Sequence, residues 1–185
     1  MTAVAHPRDG LGPAWPASLV AAGFIAAGAG VILAQHQIRF FEARLSALVL
    51  AGTHVTTHAQ SIGPVVAFHI GRGWGGLSLT AGCTAALLMT PFLLVGAGLL
   101  LARRIGVARS LVSIAAVAVI VFAVNQLRFL LIAGAMQVWG FQTGYERTHV
   151  LVGGLLSTFG VAVGVVVFLV ALTTIAKPRP KASPQ

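Results

Sequence analysis

The chain has 185 residues, of which 57% are hydrophobic and only 8% are charged, and its mean hydropathy is +0.94. Soluble domains average about half apolar and about a quarter charged residues, so this composition excludes an ordinary soluble protein and predicts an integral membrane protein. The cations that give the net charge of +9 lie at segment ends without an aromatic-laced basic patch, which argues against nucleic-acid binding. The single cysteine excludes an internal disulfide and a cysteine-built zinc or iron–sulfur site.

Five apolar segments follow a polar, proline-containing lead over residues 1–17. Each segment is close to or above the length of about 20 residues that a helix needs to cross a bilayer. The predicted fold is an all-α polytopic bundle of about five transmembrane helices, in a single domain over 18–176. The second segment is the weakest, because His and Thr residues follow its apolar start; four spans, with this segment at the interface and the N-terminus inside, are the alternative. The predicted spans are about 18–34, 44–65, 82–102, 110–137 and 149–174, and a basic tail covers 177–185.

Between the second and third spans, residues 65–80 (VVAFHIGRGWGGLSLT) alternate β-branched and aromatic residues around a Gly-Arg-Gly turn. This pattern predicts a short β-hairpin-like segment outside the hydrocarbon, directly before the cysteine-bearing helix. His54 and His58 are four residues apart and would share one helical face, and His69 follows in the hairpin. Without an acidic ligand or an HExxH motif, pore-lining or packing histidines are favoured over metal ligands, so no metal is expected.

The distribution of cations predicts an orientation in the cell membrane. If the 35–44 loop, the 103–109 turn and the tail face the cytoplasm, eight cations lie inside and three lie outside, which satisfies the positive-inside rule. This orientation predicts a multi-pass plasma-membrane protein with a cytoplasmic C-terminus, and it puts the hairpin and Cys83 on the extracytoplasmic side. The inside group is Arg39, Arg44, Arg103, Arg104, Arg109, Lys177, Arg179 and Lys181, and the outside group is Arg8, Arg72 and Arg147.

Three chemically capable side chains from three predicted helices fall in one outer layer. At a rise of ~1.5 Å per residue, Cys83 lies about 30 Å from Arg103 at the inner edge, which is one hydrocarbon thickness. By the same measure, Arg128 lies about 28 Å from Arg109 on the next helix. His149 opens the last span on the same outer side. Taken singly, a buried cysteine is usually an inert small hydrophobe and His149 an interfacial residue, so their convergence is what indicates a site.

Arg128 is the least ordinary of the three, because an arginine within a span costs at least ~2.5 kcal/mol unless it faces a partner or snorkels to the headgroups. The chain has no acidic residue between Glu42 and Glu146, so no carboxylate within the spans is available to neutralise it. Two anions remain as partners: a Cys83 thiolate, and an oxyanion formed on a substrate carbonyl. Asn125, one turn earlier on the same face, either orients the guanidinium or satisfies a neighbouring helix.

These elements carry a family resemblance. A cysteine at the outer start of a span, then NQLR over 125–128 late in the next span, then HVLVG over 149–153 opening the last one, resembles the exosortase/archaeosortase family. The resemblance covers about residues 45–172. The chain departs from the family at one place, because it has Cys-Thr-Ala over 83–85 where the family usually has Cys-Ser-Gly.

The resemblance implies a membrane cysteine protease or transpeptidase that cleaves secreted proteins bearing a C-terminal motif, a hydrophobic span and a basic tail. It gives Cys83 the role of nucleophile, Arg128 that of oxyanion or thiolate stabiliser and His149 that of general acid and base. The acceptor would be an amine or water, and neither a metal nor an organic cofactor is needed. Two other readings stay open: a non-enzymatic membrane assembly or transport subunit, and a cysteine acyltransferase acting on lipid-linked groups.

Overall fold

The structure, a computed structural model, describes residues 14–174, and over this range the chain forms six α-helices and one three-stranded antiparallel sheet. A 3₁₀ turn over Ala81–Cys83 precedes the third helix, and a π-helical turn over Thr148–Val152 precedes the sixth. The helices are α1 (Ala14–Leu33), α2 (Gln35–Gly52), α3 (Ala85–Leu101), α4 (Val107–Trp139), α5 (Phe141–Arg147) and α6 (Gly153–Thr174), and the strands are β1 (Ala59–Ile62), β2 (Val65–Ile70) and β3 (Gly73–Ser78).

Within residues 14–174, three helices are long and apolar enough to cross a membrane: α1 over Trp15–Leu33, α4 over Val107–Trp139 and α6 over Gly153–Thr173. The 17 residues of α3 are also apolar. These helices leave large side chains such as Leu155 largely exposed in the isolated chain, a surface that suits lipid rather than water. The prediction of a mostly helical protein is confirmed, and three apolar helices of spanning length suggest that it is embedded in a membrane; the count of about five spans is not confirmed.

The long helices run antiparallel in pairs through close contacts at glycines. In α1 and α3, a Cβ at Gly28 would meet Thr90 at 3.6 Å, and a Cβ at Gly96 would meet Phe24 at 3.3 Å, so the end of α1 lies beside the start of α3. Helices α4 and α6 are antiparallel too, because the start of α6 at Gly153 meets Arg128 late in α4, whereas Gly164 further along α6 meets Val117 early in α4. The starts of α3 and α6 therefore lie with the end of α4 at one end of the bundle, called here the Cys83 end.

The second predicted span, 44–65, is not one helix. Helix α2 ends at Gly52, and residues 59–62 form strand β1. The physical reason is a tertiary contact that composition cannot reveal: α2 and the sheet pack together against the later part of α4, where their apolar side chains bury one another. This cluster comprises Ala43, Ala47, Leu50, Val66, Phe68, Leu77, Leu79, Phe129, Ile132, Ala133 and Met136.

The predicted hairpin over 65–80 is confirmed, with β2 and β3 paired antiparallel from Val65↔Ser78 to Ile70↔Gly73. Strand β1 adds a third strand by pairing with β2. The two turns contain Gly63 and Gly71 with φ of +61° and +58°, a region that glycine adopts without steric cost. The sheet therefore lies immediately before the 3₁₀ turn that carries Cys83.

One part of the predicted orientation is wrong. The backbone N–H groups of Ala85 and Ala86 donate to Glu42 of α2, so the 35–44 segment lies at the Cys83 end of the bundle. The 103–109 turn follows α3 and lies at the opposite end. Arg39 and Arg44 thus cannot be grouped with the cations of that turn, and the count of eight against three does not hold. The predicted lead 1–17 and tail 177–185 lie largely or wholly outside the described residues.

Candidate active site

Cys83 ends the 3₁₀ turn between the sheet and α3, and its side chain is buried, with 7% of its surface exposed. The hydroxyl of Thr80 donates a hydrogen bond to Cys83 Sγ at 3.2 Å. Thr84 follows in an extended conformation and begins α3 as its N-cap residue. Sequence reasoning missed Thr80, although a hydroxyl residue three positions before the cysteine in LTAGC was a usable signal.

Arg128 lies on α4, and its Nη2 donates to Cys83 Sγ at 3.3 Å. The arginine is buried, with 8% of its surface exposed, and its Nε has no acceptor. Within residues 14–174, no carboxylate lies within ion-pair distance of this guanidinium. The structure therefore brings a permanent cation and the single thiol of the chain into direct contact in an apolar bundle.

Gly153, the first residue of α6 and the last of the HVLVG segment, makes room for this contact. A Cβ at this position would lie 2.9 Å from Arg128 Nε and 3.5 Å from Nη2, so any side chain there would push the guanidinium away. The next residue, Gly154, has no heavy atom within 4 Å of the equivalent position. The two adjacent glycines therefore differ in that only the first is required sterically.

We predict that Gly153→Ala displaces Arg128 and slows Cys83 alkylation at neutral pH by about 10-fold, since a hydrogen bond to a charged group contributes roughly that much. Gly154→Ala is the matched control and should leave the rate unchanged. Alkylation by iodoacetamide, followed by mass spectrometry in lipid nanodiscs, measures both variants. Equal rates in the two variants and the wild type would contradict the steric role of Gly153.

His149 lies in the π-helical turn before α6, where its ring stacks on Tyr145 with 4.5 Å between centroids and 16° between planes. Burial lowers the pKa of His149 below its usual value, and the positive charge of Arg128 lowers it further. The imidazole is therefore neutral near pH 7 and able to accept a proton. Among the described residues, no hydrogen bond joins His149 to Cys83, so the structure brings it near Arg128 without completing a contact with the thiol.

Asn125 lies one turn before Arg128 on α4 and is almost wholly buried, but no hydrogen bond joins it to the guanidinium. Its Nδ2 has no acceptor. Neither predicted role, orienting Arg128 or satisfying a neighbouring helix, is observed for this amide.

Glu42 is a buried carboxylate of α2 that sequence reasoning left out of this layer. Its Oε2 accepts the N–H of Ala85 at 3.2 Å and its Oε1 accepts the N–H of Ala86 at 3.0 Å, so it caps the first turn of α3. Burial raises the pKa of Glu42, and the two backbone hydrogen bonds partly oppose that effect. Glu42 thus occupies the backbone donors of Ala85 and Ala86 in the first turn of α3. The available signal was a lone carboxylate among the apolar residues of α2.

The histidines before α3 form no helical pair. His54 lies in the turn after α2 with φ of +56°, which contradicts the predicted shared face with His58. The rings of His58 and His69 meet edge to face at 6.5 Å, and His69 meets Trp74 at 5.5 Å. In the part of the chain that the structure describes, no three His, Cys, Asp or Glu residues are grouped closely enough to hold a metal ion.

The site therefore consists of one buried thiol, one buried guanidinium in contact with it and a neutral imidazole nearby, at the end of a helical bundle that can lie in a membrane. Compared with models of known protein families, with curated proteins and with solved structures, the chain matches none of them.

Proposed function

We propose that this chain is an exosortase-like membrane cysteine peptidase and transpeptidase. The observation that carries the proposal is the buried contact of 3.3 Å between Arg128 Nη2 and Cys83 Sγ. A guanidinium without a carboxylate partner is costly in an apolar bundle, and it is retained where an anion forms beside it. A thiolate and the oxyanion of an attacked carbonyl are both such anions.

In the proposed reaction, neutral His149, which does not contact Sγ in the resting enzyme, comes within hydrogen-bond reach and accepts the thiol proton as Cys83 Sγ attacks the scissile carbonyl carbon. The resulting oxyanion is stabilised by Arg128, which has an Nε donor without an acceptor in the resting enzyme. His149 then donates the proton to the leaving amine as the C–N bond breaks, leaving a thioester on Cys83. An acceptor amine, or water, attacks the thioester and transfers its proton to His149 as the C–S bond breaks; the released thiolate then takes that proton back from His149, which restores the resting enzyme.

The substrates in this proposal are secreted proteins with a C-terminal motif, a hydrophobic span and a basic tail. The cytoplasmic end of the enzyme would be the one with the 103–109 turn, because Arg103, Arg104 and Arg109 lie there. Helix α6 also ends there, and in the sequence it is followed by a tail with three further cations. The Cys83 end would then face the extracytoplasmic side, where the motif that precedes a substrate's span would arrive.

We predict that co-expression with a secreted protein of the same organism that carries such a tripartite tail yields a shortened product. The reason is that the hydrophobic span halts the substrate in the bilayer with its preceding motif at the level of Cys83. Immunoblotting with tags on both sides of the motif measures the cleavage. The control substrate lacks only the basic tail. Without the tail its span is held less firmly at a fixed depth in the membrane, so processing should fall. If every tripartite substrate stays uncleaved when it is co-expressed with the wild-type protein, the proposed function is contradicted.

A further inference from the structure

Strand β3 forms one edge of the sheet. Within residues 14–174 the sheet has three strands in the order β1-β2-β3, so β2 is the one strand that pairs with β3. The N–H of Leu79 donates to Pro64 O at 2.9 Å, which extends that pairing one residue beyond Ser78. Every second residue of an antiparallel strand bonds to the same neighbour, so the residues between direct their N–H and C=O groups to the other side. The residues of β3 that point outward in this way are Trp74, Gly76 and Ser78.

The outward backbone groups of β3 have no partner within the chain. In the part of the chain that the structure describes, no hydrogen bond reaches them from another element. Native proteins commonly protect such an edge with a charged residue or a proline, and β3 (GWGGLS) contains neither. An unprotected edge is also the surface to which an extended peptide binds by adding a strand.

This edge leads directly to the candidate nucleophile. The backbone is still extended at Thr80, with φ of −84° and ψ of 167°, and the Thr80 hydroxyl donates to Cys83 Sγ at 3.2 Å. Ser78 lies two residues earlier, which is about 7 Å at the rise of ~3.3 Å per residue in a strand. A strand added to the outer edge of β3 would therefore end beside the thiol.

We infer that the outer edge of β3 binds the stretch of substrate before the scissile bond, in an extended conformation. The inference rests on the proposed function. An added strand is held mainly by main-chain hydrogen bonds. It therefore fixes the backbone of the substrate and brings the scissile carbonyl group to Cys83 and Arg128.

The direction of β3 selects the stretch before the scissile bond rather than the one after it. The start of β3 lies near the outer end of α4, because a Cβ at Gly75 would meet Phe141 at 2.8 Å. The strand then runs back toward the layer of Cys83. A substrate runs the same way, from its secreted part through its motif to its membrane span. It would pair parallel to β3, and its span would continue past Cys83 into the bilayer.

The opposite edge of the sheet, formed by β1, does not lead to the thiol. His69 N donates to His58 O at 3.0 Å, and by the same alternation Ser61 directs its N–H away from β2. That edge borders a groove against α2 that contains Arg44, and β2 separates it from β3. Strand β1 thus offers a matched control position, an outward N–H on an edge strand that is remote from Cys83.

Alkylation of Cys83 by three probes tests the inference on the full chain in lipid nanodiscs. The first is acetyl-tetraalanyl chloromethyl ketone, whose peptide corresponds to the stretch before the scissile bond. The second is the same peptide with every backbone nitrogen methylated, and the third is chloroacetone, which has no peptide. In each case Sγ bonds to the chloromethyl carbon, chloride leaves and the thiol proton passes to the buffer.

We expect the wild type to react at least about 4-fold faster with the first probe than with the second. Alternate N–H groups of the peptide would face β3, and each hydrogen bond contributes about 2- to 10-fold. Ser78→Pro removes one outward N–H of β3, at a position where an edge strand tolerates proline. The ratio of its rates with the first probe and with chloroacetone should fall about 2- to 10-fold below that of the wild type. Ser61→Pro makes the same exchange on β1 and should keep the wild-type ratio.

The outcomes separate the two proposals. Equal wild-type rates with the two peptide probes, a wild-type ratio in Ser78→Pro, or an equal fall in Ser61→Pro each overturn the assignment of β3, while Cys83 remains a reactive nucleophile. If Ser78→Pro reacts with no probe, the two peptide probes on the wild type decide the assignment by themselves. A wild-type Cys83 that reacts with none of the three probes instead counts against the proposed function, and the assignment of β3 falls with it.

Discussion

Replacing Cys83 by alanine or serine is expected to abolish processing of a tripartite substrate while the protein still inserts at the wild-type level. Alanine removes the nucleophile, and a hydroxyl in an apolar site cannot supply the accessible anion that a thiol can. Removing the nucleophile of a serine protease lowers turnover on the order of 10⁶-fold, so product should fall below detection by immunoblotting.

Serine at position 83 is the sharper of the two variants, because its hydroxyl can still accept from Thr80 and Arg128 and so preserves the contacts of the site. Its loss of function would therefore report chemistry rather than packing. Normal processing in the alanine variant, at a matched protein level, would remove Cys83 from the mechanism.

The second large effect is expected for Arg128→Lys, which should insert normally but lose about 10²- to 10³-fold in turnover. If the arginine only snorkelled to the headgroups, a lysine would serve as well, since both have long cationic stems. The planar guanidinium instead offers Nη2 to Sγ while Nε remains free for a carbonyl oxygen. Lysine is a point charge that cannot reproduce this geometry, and it loses its proton more readily in apolar surroundings.

The same variant should also slow Cys83 alkylation at neutral pH, since Sγ loses the guanidinium as its hydrogen-bond partner. Arg109→Lys is the matched control, because it makes the same exchange on α4 at the opposite end of the bundle. Arg128→Gln extends the test to His149: with the neighbouring charge removed, only burial lowers the pKa of His149, so it should rise toward its usual value in an NMR titration. If Arg128→Lys leaves both the rate of Cys83 alkylation at neutral pH and the turnover unchanged, the coupling between Arg128 and Cys83 is refuted.

The contact between Cys83 and Arg128 was accessible from sequence because it depends on simple geometry. Two neighbouring helices with the same rise per residue carry Cys83 and Arg128 at nearly equal distances from basic residues of the turn between them, and an intramembrane arginine needs a partner. With no acidic residue between Glu42 and Glu146, the thiol was one of two partners left. The hairpin was accessible for a similar reason, since its alternation and turn glycines are local signals.

The fold of residues 35–62 was not accessible, because it is decided by contacts that are distant in sequence. The apolar start and polar end of the predicted span 44–65 resemble a helix facing a bundle interior. In the structure, α2 instead packs on the sheet and α4, and Glu42 caps a helix that begins more than 40 residues later. That reversal moved Arg39 and Arg44 to the other end of the bundle and added a carboxylate to the layer of Cys83.

Sequence spacing could not predict that His149 makes no hydrogen bond to the thiol. The π-helical turn and the stacking on Tyr145 set the direction of the imidazole, and neither has a signature in the sequence. The proposed reaction therefore requires the imidazole to come within hydrogen-bond reach of Sγ and of the leaving amine.

The most direct test of a covalent mechanism is mass spectrometry of Cys83 during turnover. Wild-type protein in nanodiscs is mixed with a processed substrate, quenched in acid and digested, and the peptide that contains Cys83 is analysed. The mechanism predicts that this peptide carries the substrate's N-terminal fragment through a thioester that neutral hydroxylamine removes, and that Cys83→Ala gives neither adduct nor product. Product formation by the Cys83→Ala protein, or wild-type turnover with the acyl group on a residue other than Cys83, would contradict it.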